Sequence, residues 1–238
     1  MDLYEALYKA SSRENAFISI TGGGGKTTLM ECFASYLRNA GKKVLITTTT
    51  RIRSPYLHDY HADMVFGDNS VLSHVPEGPC VVAYATENRD TGKWSCPPLE
   101  NLDVLRMRYD IVLCEADGSR GLPLKMHTQR DPVVPPFCSY TISVMGLWGI
   151  GRRARYVCFG DDSEAVVDAS YLNDYIRDPE GLLKGSIQGN RALVLNGADA
   201  LPSGSGVPDL ISGLDYPDDL LVLAGSVRDG VIAERIRN

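Results

Sequence analysis

The sequence predicts an α/β protein built on a mostly parallel sheet, and three observations support that fold class. A glycine-rich segment at residues 21–28 lies between an apolar run and an amphipathic run, which is the order strand, loop, helix. Short apolar runs bounded by polar turns recur along the 238 residues, as expected for strands buried on both faces. Segments with helical spacing of apolar residues alternate with these runs, so the strands are expected to be parallel and covered by helices.

The N-terminal elements are predicted from apolar spacing and from residues that end helices. Leu3 and Leu7 lie on one face of an opening helix, and a second helix is expected at 29–37. Gly41 follows it at a position where glycine is typical just after a helix end. The predicted strands of the whole chain are 16–20, 44–46, 65–66, 81–84, 111–114, 139–145, 192–195 and 220–224.

A single domain of residues 1–238 is expected, with a more elaborate region at 54–108. Within that region a turn is predicted at 89–93, followed by Trp94 on the returning arm, and a helix is predicted after residues 97–98. Glycine, proline and serine predict a surface loop, with room for a short helix, at 201–219.

The composition limits the binding partners and the cellular compartment that we expect for this protein. The chain is 44% hydrophobic and has a net charge of −6, whereas domains that bind nucleic acid are usually basic, so we expect no nucleic-acid partner. The acidic N-terminus lacks a signal-peptide pattern, and no run reaches the roughly 18–20 apolar residues that span a membrane. We therefore expect a cytoplasmic protein without a membrane partner. Its six cysteines have no C-x-x-C spacing and are expected to be reduced thiols.

The segment T-G-G-G-G-K-T-T at 21–28 predicts a phosphate-binding loop. Glycines let backbone amides approach an anion, and the following helix directs its positive dipole end toward the same place. Lys26 can reach the β- and γ-phosphates of a nucleotide, and the Thr27 hydroxyl can bind Mg²⁺. The longer pattern G-x-x-x-x-G-K-[ST] would require glycine at Ile20, so the chain has a shorter form of the motif. The residues predicted to bind the nucleotide here are Gly22, Gly23, Gly24, Gly25, Lys26, Thr27 and Thr28.

Polar residues follow the predicted strands at the edge where ligands bind in parallel α/β sheets. Glu115 and Asp117 come directly after strand 111–114 and are predicted to complete the magnesium shell and to orient water. Residues 47–50 are four threonines, which indicate either a longer strand or ligands of Mg²⁺ and its water molecules. Arg51 and Arg53 beyond them could meet a phosphate or another anion.

A third strand end carries a predicted contact with the nucleotide base. Asn196 and Asp199 follow strand 192–195 with the spacing of the N-K-x-D motif of guanine-binding proteins, but Gly197 replaces the lysine. Either ATP or GTP therefore agrees with this pattern.

Together these segments resemble the YqeC-like family, whose members are described as selenium-dependent hydroxylase accessory proteins. The resemblance is carried by residues 21–28, 47–51, 115–125 and 196–199, and its most specific part is the string E-A-D-G-S-R-G-L-P-L-K at 115–125. The chain departs from the family at Gly197, where lysine is common. The resemblance implies a P-loop NTPase-like three-layer sandwich with a mostly parallel central sheet. It also implies a role in maturing or inserting a molybdenum cofactor in selenium-dependent hydroxylases.

The expected function is Mg²⁺-dependent binding and slow hydrolysis of ATP or GTP, with a molybdenum hydroxylase or its cofactor as partner. Lys26, Glu115 and Asp117 are the expected catalytic residues, and Thr27, Glu115 and Asp117 the expected magnesium site. Arg120 and Lys125 would bind an anionic second substrate or sense the γ-phosphate. One alternative is an ATP-dependent small-molecule ligase or kinase, because Mur-type peptide ligases share the short loop. The other is a module that binds nucleotide or molybdopterin without turnover.

Overall fold

The computed structural model describes residues 2–55, 57–88, 92–201 and 204–237, and its centre is a large sheet. The strands are β1 (Ala16–Gly22), β2 (Lys43–Thr48), β3 (Ile52–Arg53), β4 (Met64–Phe66), β5 (Cys80–Tyr84), β6 (Thr86–Asn88), β7 (Lys93–Ser95), β8 (Ile111–Glu115), β9 (Leu124–Lys125), β10 (Tyr140–Gly146), β11 (Cys158–Phe159), β12 (Arg191–Asn196), β13 (Leu220–Ser226) and β14 (Val231–Arg237). The α-helices are α1 (Leu3–Ser11), α2 (Lys26–Asn39), α3 (Leu99–Arg106), α4 (Ala154–Val157), α5 (Ala169–Arg177) and α6 (Val207–Ser212). Short 3₁₀ turns cover Asn69–Ser73, Leu147–Gly149 and Ala198–Ala200.

Nine of the described strands form the central sheet, in the order β14-β13-β12-β10-β1-β8-β2-β5-β4. Every neighbouring pair in it is parallel except β13 and β14. In the register of the central strands, Ile18 of β1 lies between Tyr140 of β10 and Leu113 of β8. The carboxyl ends of the parallel strands share one edge, so the polar residues that follow β1, β2, β8 and β12 come together there.

Helices cover both faces of this sheet, which confirms the predicted α/β fold class. Side chains alternate between the faces of β1. Ile18 packs with Leu3 of α1 and Phe33 of α2 on one face. Phe17 packs with Leu102 of α3 on the other. At the other half of that second face, α5 and α6 bury side chains against β12 and β13.

The strands predicted from apolar runs are all present, each within two residues of its predicted ends. The elaborate region contributes β4 and β5 to the central sheet, while β3, β7 and β6 form a separate three-stranded sheet. Trp94 lies on the returning strand β7, as predicted, and stacks on Tyr60 with ring centroids 5.6 Å apart. Residues 89–91 of the predicted turn and 202–203 of the predicted loop lie outside the described residues.

Several elements were not predicted. The short β3, β9, β11 and α4 are among them, helix α5 belongs to the long segment between β10 and β12, and β14 adds an antiparallel edge to the sheet. All six cysteines carry free thiols, which agrees with the expectation of reduced cysteines. Across the part of the chain that the structure describes, no helix has the length and apolar character needed to cross a membrane.

Candidate functional site

The glycine loop joins β1 to α2 and lies directly against the end of β10. Gly22 and Gly24 have φ angles of 93° and 75°, which residues with a Cβ rarely adopt. A Cβ at Gly22 would lie 2.3 Å from the carbonyl oxygen of Val144, and one at Gly24 would lie 2.4 Å from the amide nitrogen of Gly146. Both the backbone conformation and the close approach therefore require glycine.

Three amides of this loop donate hydrogen bonds to the protein itself. The Gly22 amide donates to Asp117 Oδ2 at 2.8 Å. The Gly23 and Gly24 amides donate to the carbonyl oxygens of Val144 and Leu122 at 2.9 and 3.0 Å. The expected cradle of four glycine amides around a phosphate is thus not the arrangement seen here, because three of them already have acceptors. The donors that face outward are the amides of the first turn of α2, which by helix geometry lack acceptors within the helix.

The Lys26 side chain is buried and folds back over the loop. Its Nζ donates to the carbonyl oxygen of Gly22 at 2.7 Å and lies 3.4 Å from the Ser119 hydroxyl. It also lies 3.0 Å from Asp117 Oδ1 and 3.9 Å from Glu115 Oε1. The ammonium group therefore sits between two carboxylates at the start of α2, where an entering phosphate could replace one of them.

Glu115 ends β8 and faces the first turn of α2. Its Oε2 accepts a hydrogen bond from the Thr27 hydroxyl at 2.9 Å, and its backbone carbonyl accepts one from the Thr48 hydroxyl at 2.8 Å. Burial raises the pKa of Glu115 above the usual carboxyl value, because the nearby Lys26 and the Thr27 hydroxyl offset only part of the cost of burying its charge.

The Thr27 hydroxyl and the Glu115 carboxylate form a pair of oxygen ligands suited to Mg²⁺. No group of three or more histidine, cysteine, aspartate or glutamate residues able to hold a metal exists within the described ranges. A magnesium ion at Thr27 and Glu115 would therefore take further oxygens from phosphate and water, which is how this ion usually binds beside a nucleotide.

Asp117 lies deeper than Glu115 and is completely buried. Its Oδ2 accepts hydrogen bonds from the Gly22 amide and from His127 Nε2, the latter at 2.6 Å. Burial alone would raise the pKa of Asp117, but the positive Lys26 and the hydrogen bond from His127 outweigh it, so the pKa lies below the usual value. Asp117 thus stays ionised and connects the loop, Lys26 and His127.

His127 was not singled out from the sequence, yet it contacts the buried Asp117 beneath the loop. Its Nδ1 faces the carbonyl oxygen of Gly181 at 2.8 Å, and its Nε2 faces the ionised Asp117. Both partners can only accept, so each ring nitrogen is placed where it can donate. The buried Asp117 carboxylate thus lies between Lys26 on one side and His127 on the other. No local motif marks His127, because it meets Asp117 only through the fold.

A cleft of about 360 Å³ opens above the first turn of α2. Lys26, Thr27 and Glu115 line it, and so do the three arginines Arg51, Arg53 and Arg120. Arg51 and Arg53 are exposed, and neither guanidinium forms an ion pair with any residue that the structure describes. The cleft is thus rich in positive charge and suited to a ligand with several negative charges.

Arg120 and Lys125 occupy different environments. The Arg120 guanidinium lies 4.9 Å from the ring centroid of Phe159 and borders the cleft. Lys125 is buried, lies 4.5 Å from the same centroid and forms an ion pair with Asp131. Because Asp131 already neutralises Lys125, the expected role of this lysine at a phosphate does not agree with its position, whereas that of Arg120 does.

The four threonines at 47–50 were predicted either to extend the strand or to bind Mg²⁺ and its water molecules, and the structure gives them different environments. Strand β2 continues to Thr48, so the first two threonines extend the strand, as the simpler interpretation predicts. Thr49 donates to the carbonyl oxygen of Val133 at 2.6 Å. The Thr47 hydroxyl is buried without a hydrogen-bond partner among the described residues. Two of the threonines contact the carbonyl oxygen of Glu115, Thr48 through its hydroxyl at 2.8 Å and Thr49 through its backbone amide at 3.1 Å.

Asn196 and Asp199 were predicted to contact the nucleotide base, and the structure places them in different environments. Asn196 Nδ2 donates to the carbonyl oxygen of Gly24 at 2.8 Å, and Asn196 Oδ1 accepts from the Val227 amide at 3.0 Å. Asn196 therefore ties the glycine loop to the segment after β13. Gly197 has a φ of 94°, and Asp199 is exposed in the 3₁₀ turn that follows.

Comparison with known proteins identifies the family. The family model described as "YqeC protein" matches residues 18–160 of this chain. A curated relative from Escherichia coli (strain K12), named "Uncharacterized protein YqeC", is 31% identical over 237 aligned positions, which cover 93% of this chain and 91% of the relative. The family model includes the glycine loop and the acidic strand end at Glu115, and the relative extends the similarity over nearly the whole chain. The chain therefore belongs to the YqeC family.

Proposed function

We propose that the protein binds a nucleoside triphosphate together with Mg²⁺ at the start of α2 and hydrolyses it slowly. The observation that carries this proposal is the arrangement of Lys26, Thr27 and Glu115 around one cleft at the carboxyl edge of the parallel sheet. This edge is where open α/β sheets bind ligands, and the helix N-terminus adds amides and a positive dipole end. The cationic cleft suits the charge of a triphosphate.

Each group has a part in the proposed reaction. The Lys26 ammonium would bind β- and γ-phosphate oxygens, and Thr27 and Glu115 would hold a magnesium ion, which would supply positive charge to the phosphates. Water attacks the γ-phosphorus, the bond to the bridging oxygen breaks, and the products are orthophosphate and a nucleoside diphosphate. Asp117 touches Lys26 and the Gly22 amide and is enclosed beneath the loop, so it positions these groups. Its expected place in the magnesium shell stays a prediction.

The cellular role proposed here is that of an accessory factor in the maturation of selenium-dependent molybdenum hydroxylases. Its support is the family resemblance, whereas the printed name of the Escherichia coli relative assigns no activity. Such a factor would hydrolyse nucleotide faster when its client hydroxylase or the molybdenum cofactor is present, because a partner can supply the charge that stabilises the transition state. Phosphate release measured with and without the client tests this role, and equal rates would contradict it.

A second candidate is phosphoryl transfer to a small anionic acceptor, and the position of Arg51 and Arg53 favours it. Both line the same cleft as the glycine loop and have no ion-pair partner in the described part of the chain. Consumption of ATP that requires an added acceptor would identify a kinase or ligase, whereas acceptor-independent phosphate release would identify hydrolysis. Nucleotide binding without either product would identify a binding module.

Calorimetric titration with ATP, GTP and CTP, with and without Mg²⁺, tests nucleotide binding. Lys26→Ala is expected to abolish measurable binding, and Thr27→Ala to remove the dependence on Mg²⁺. Lys9→Ala is the matched control, because this lysine is exposed on α1 and pairs with Glu5. Unchanged affinity in the Lys26 variant would refute the phosphate-binding role of the loop.

A further inference from the structure

Trp148 is a large aromatic residue that remains half exposed beside the glycine loop. It lies in the 3₁₀ turn Leu147–Gly149, which directly follows β10, and 46% of its surface is accessible. Trp94, the other tryptophan of the chain, is 2% exposed. Apolar aromatic surface left open next to a predicted ligand site calls for a specific explanation, since aromatic rings are used at binding sites where one face is covered and the other is free.

Two glycines make room for the indole. A Cβ at Gly146 would lie 2.7 Å from Cη2 of Trp148, and a Cβ at Gly197 would lie 3.2 Å from its Cε3. The six-membered part of the indole is therefore held against bare backbone at the ends of both β10 and β12. A long side chain at position 197, in the place of the lysine in N-K-x-D, would collide with this ring.

The same contacts place the ring at one side of the glycine loop. Gly146, which supports the indole, also lies against Gly24 of the loop, and Asn196, which precedes Gly197, binds the Gly24 carbonyl. The cleft with Lys26 and Thr27 opens above Gly24 and Gly25. A nucleotide whose phosphates lie on the first turn of α2 can extend across Gly25 toward the indole.

We propose that Trp148 stacks on the base of the bound nucleotide and so takes over the part that a lysine at position 197 would play. This inference rests on the proposed nucleotide binding and specifies its ligand class, a purine nucleoside triphosphate. A purine offers a larger π surface to the indole than a pyrimidine does, and stacking accepts adenine and guanine alike. The exposed carboxylate of Asp199 lies in the turn after Gly197 and can accept a hydrogen bond from an N–H group at the edge of the base.

The test compares ATP with inorganic tripolyphosphate, which has the phosphates without the base. In Trp148→Leu the affinity for Mg·ATP is expected to fall by roughly tenfold, the order found for stacking of a base on an aromatic ring. The affinity for Mg·tripolyphosphate is expected to stay within about twofold, because the variant leaves the loop intact. The preference of the wild type for ATP over CTP should disappear in this variant. Trp148→Phe keeps a ring and should lose less.

Tyr156→Leu is the matched control, since this tyrosine is another exposed aromatic, 54% accessible, that packs against Arg155. It is expected to bind ATP like the wild type. Quenching of tryptophan fluorescence by ATP should be present in the wild type and absent in Trp148→Phe, where only the buried Trp94 remains. Equal losses for ATP and tripolyphosphate in Trp148→Leu, or no loss for either, would overturn the stacking role while leaving phosphate binding in place. Failure of the wild type to bind both ligands would instead refute the proposed function.

Discussion

Replacing Lys26 by methionine tests the charge arrangement beneath the glycine loop without any ligand. Methionine keeps much of the length of the side chain but removes the charge, so Asp117 and Glu115 lose their shared cation. At the observed separation of 3.0 Å, the attraction between Lys26 and Asp117 is about 5.5 kcal/mol for an effective dielectric constant of about 20. At 3.9 Å, the attraction between Lys26 and Glu115 is about 4.3 kcal/mol under the same assumption.

The net loss of stability is smaller than these attractions, because the variant also avoids the cost of burying an ammonium group. Removing one partner of a buried ion pair typically costs about 3–5 kcal/mol. His127 still faces Asp117, so we expect a decrease of about 3 kcal/mol in the free energy of unfolding, near the lower end of that range. For a chain of this size, the melting temperature would then fall by roughly 6–12 °C.

Denaturant unfolding of the wild type and of Lys26→Met, measured at several pH values, is the appropriate assay. The pKa of Asp117 is lowered in the fold, so its stabilising contribution is present above the ordinary carboxyl range and is lost as the pH falls through the lowered pKa. The deficit of the variant should therefore be largest near neutral pH and should shrink as the pH falls, because Glu115, whose pKa is raised, becomes protonated first and Asp117 last.

A double variant distinguishes the loss of stability caused by uncompensated charge from the loss caused by altered packing. Adding Asp117→Asn to Lys26→Met removes one of the uncompensated charges and should recover part of the lost stability. If Lys26→Met unfolds like the wild type at neutral pH, or if its deficit does not change with pH, Lys26 does not balance these buried carboxylates and the reasoning is refuted.

Three further variants have distinct expected outcomes. Glu115→Gln should make nucleotide affinity equal with and without Mg²⁺ in calorimetry. Because the pKa of Glu115 is raised, the wild type should lose stability as the pH rises through that raised value, and the variant should lack this loss in denaturant titrations. Asn196→Ala removes the hydrogen bonds to Gly24 and Val227 and should lower the free energy of unfolding by about 1–3 kcal/mol, whereas Asp199→Ala, at an exposed site, should not. Lys125→Met should cost about 3 kcal/mol in unfolding assays, because it leaves Asp131 unpaired, yet keep tripolyphosphate affinity within about twofold. A large loss of that affinity would show that Lys125 reaches the phosphates.

The sequence predicts the strands of the central sheet well, because a strand buried on both faces is a continuous apolar run. Strand β14 does not follow this pattern and was not predicted. It is an edge strand with charged residues at 234, 235 and 237, and its pairing with β13 contains two register shifts. The dipeptide Asp229-Gly230 between β13 and β14 is the local signal that indicates a hairpin there, since Gly230 has a φ of 67°.

The candidate site is predictable only where its residues are close in sequence or follow a strand. Lys26 and Thr27 are fixed by the order strand, loop, helix, and Glu115 by its place at the end of an apolar run. The hydrogen bonds of Asn196 to Gly24 and of His127 to Asp117 depend on contacts between residues that are 172 and 10 positions apart. Neither contact has a local sequence pattern, because the partner in each case is a backbone carbonyl or a buried carboxylate.

If the protein binds a triphosphate as proposed, His127 and the Gly22 amide would keep the buried Asp117 hydrogen-bonded while Lys26 turns to the phosphate. For Lys26 to reach a phosphate, its ammonium group must move away from Asp117 Oδ1, which lies 3.0 Å away. If Asp117 had no other partner, that movement would carry the cost of an uncompensated buried carboxylate. His127 Nε2 and the Gly22 amide both donate to the opposite oxygen, Oδ2, and remain in place when Lys26 moves. A phosphate oxygen would then replace the carboxylate oxygen at Lys26, while the two hydrogen bonds to Oδ2 continue to compensate the Asp117 charge.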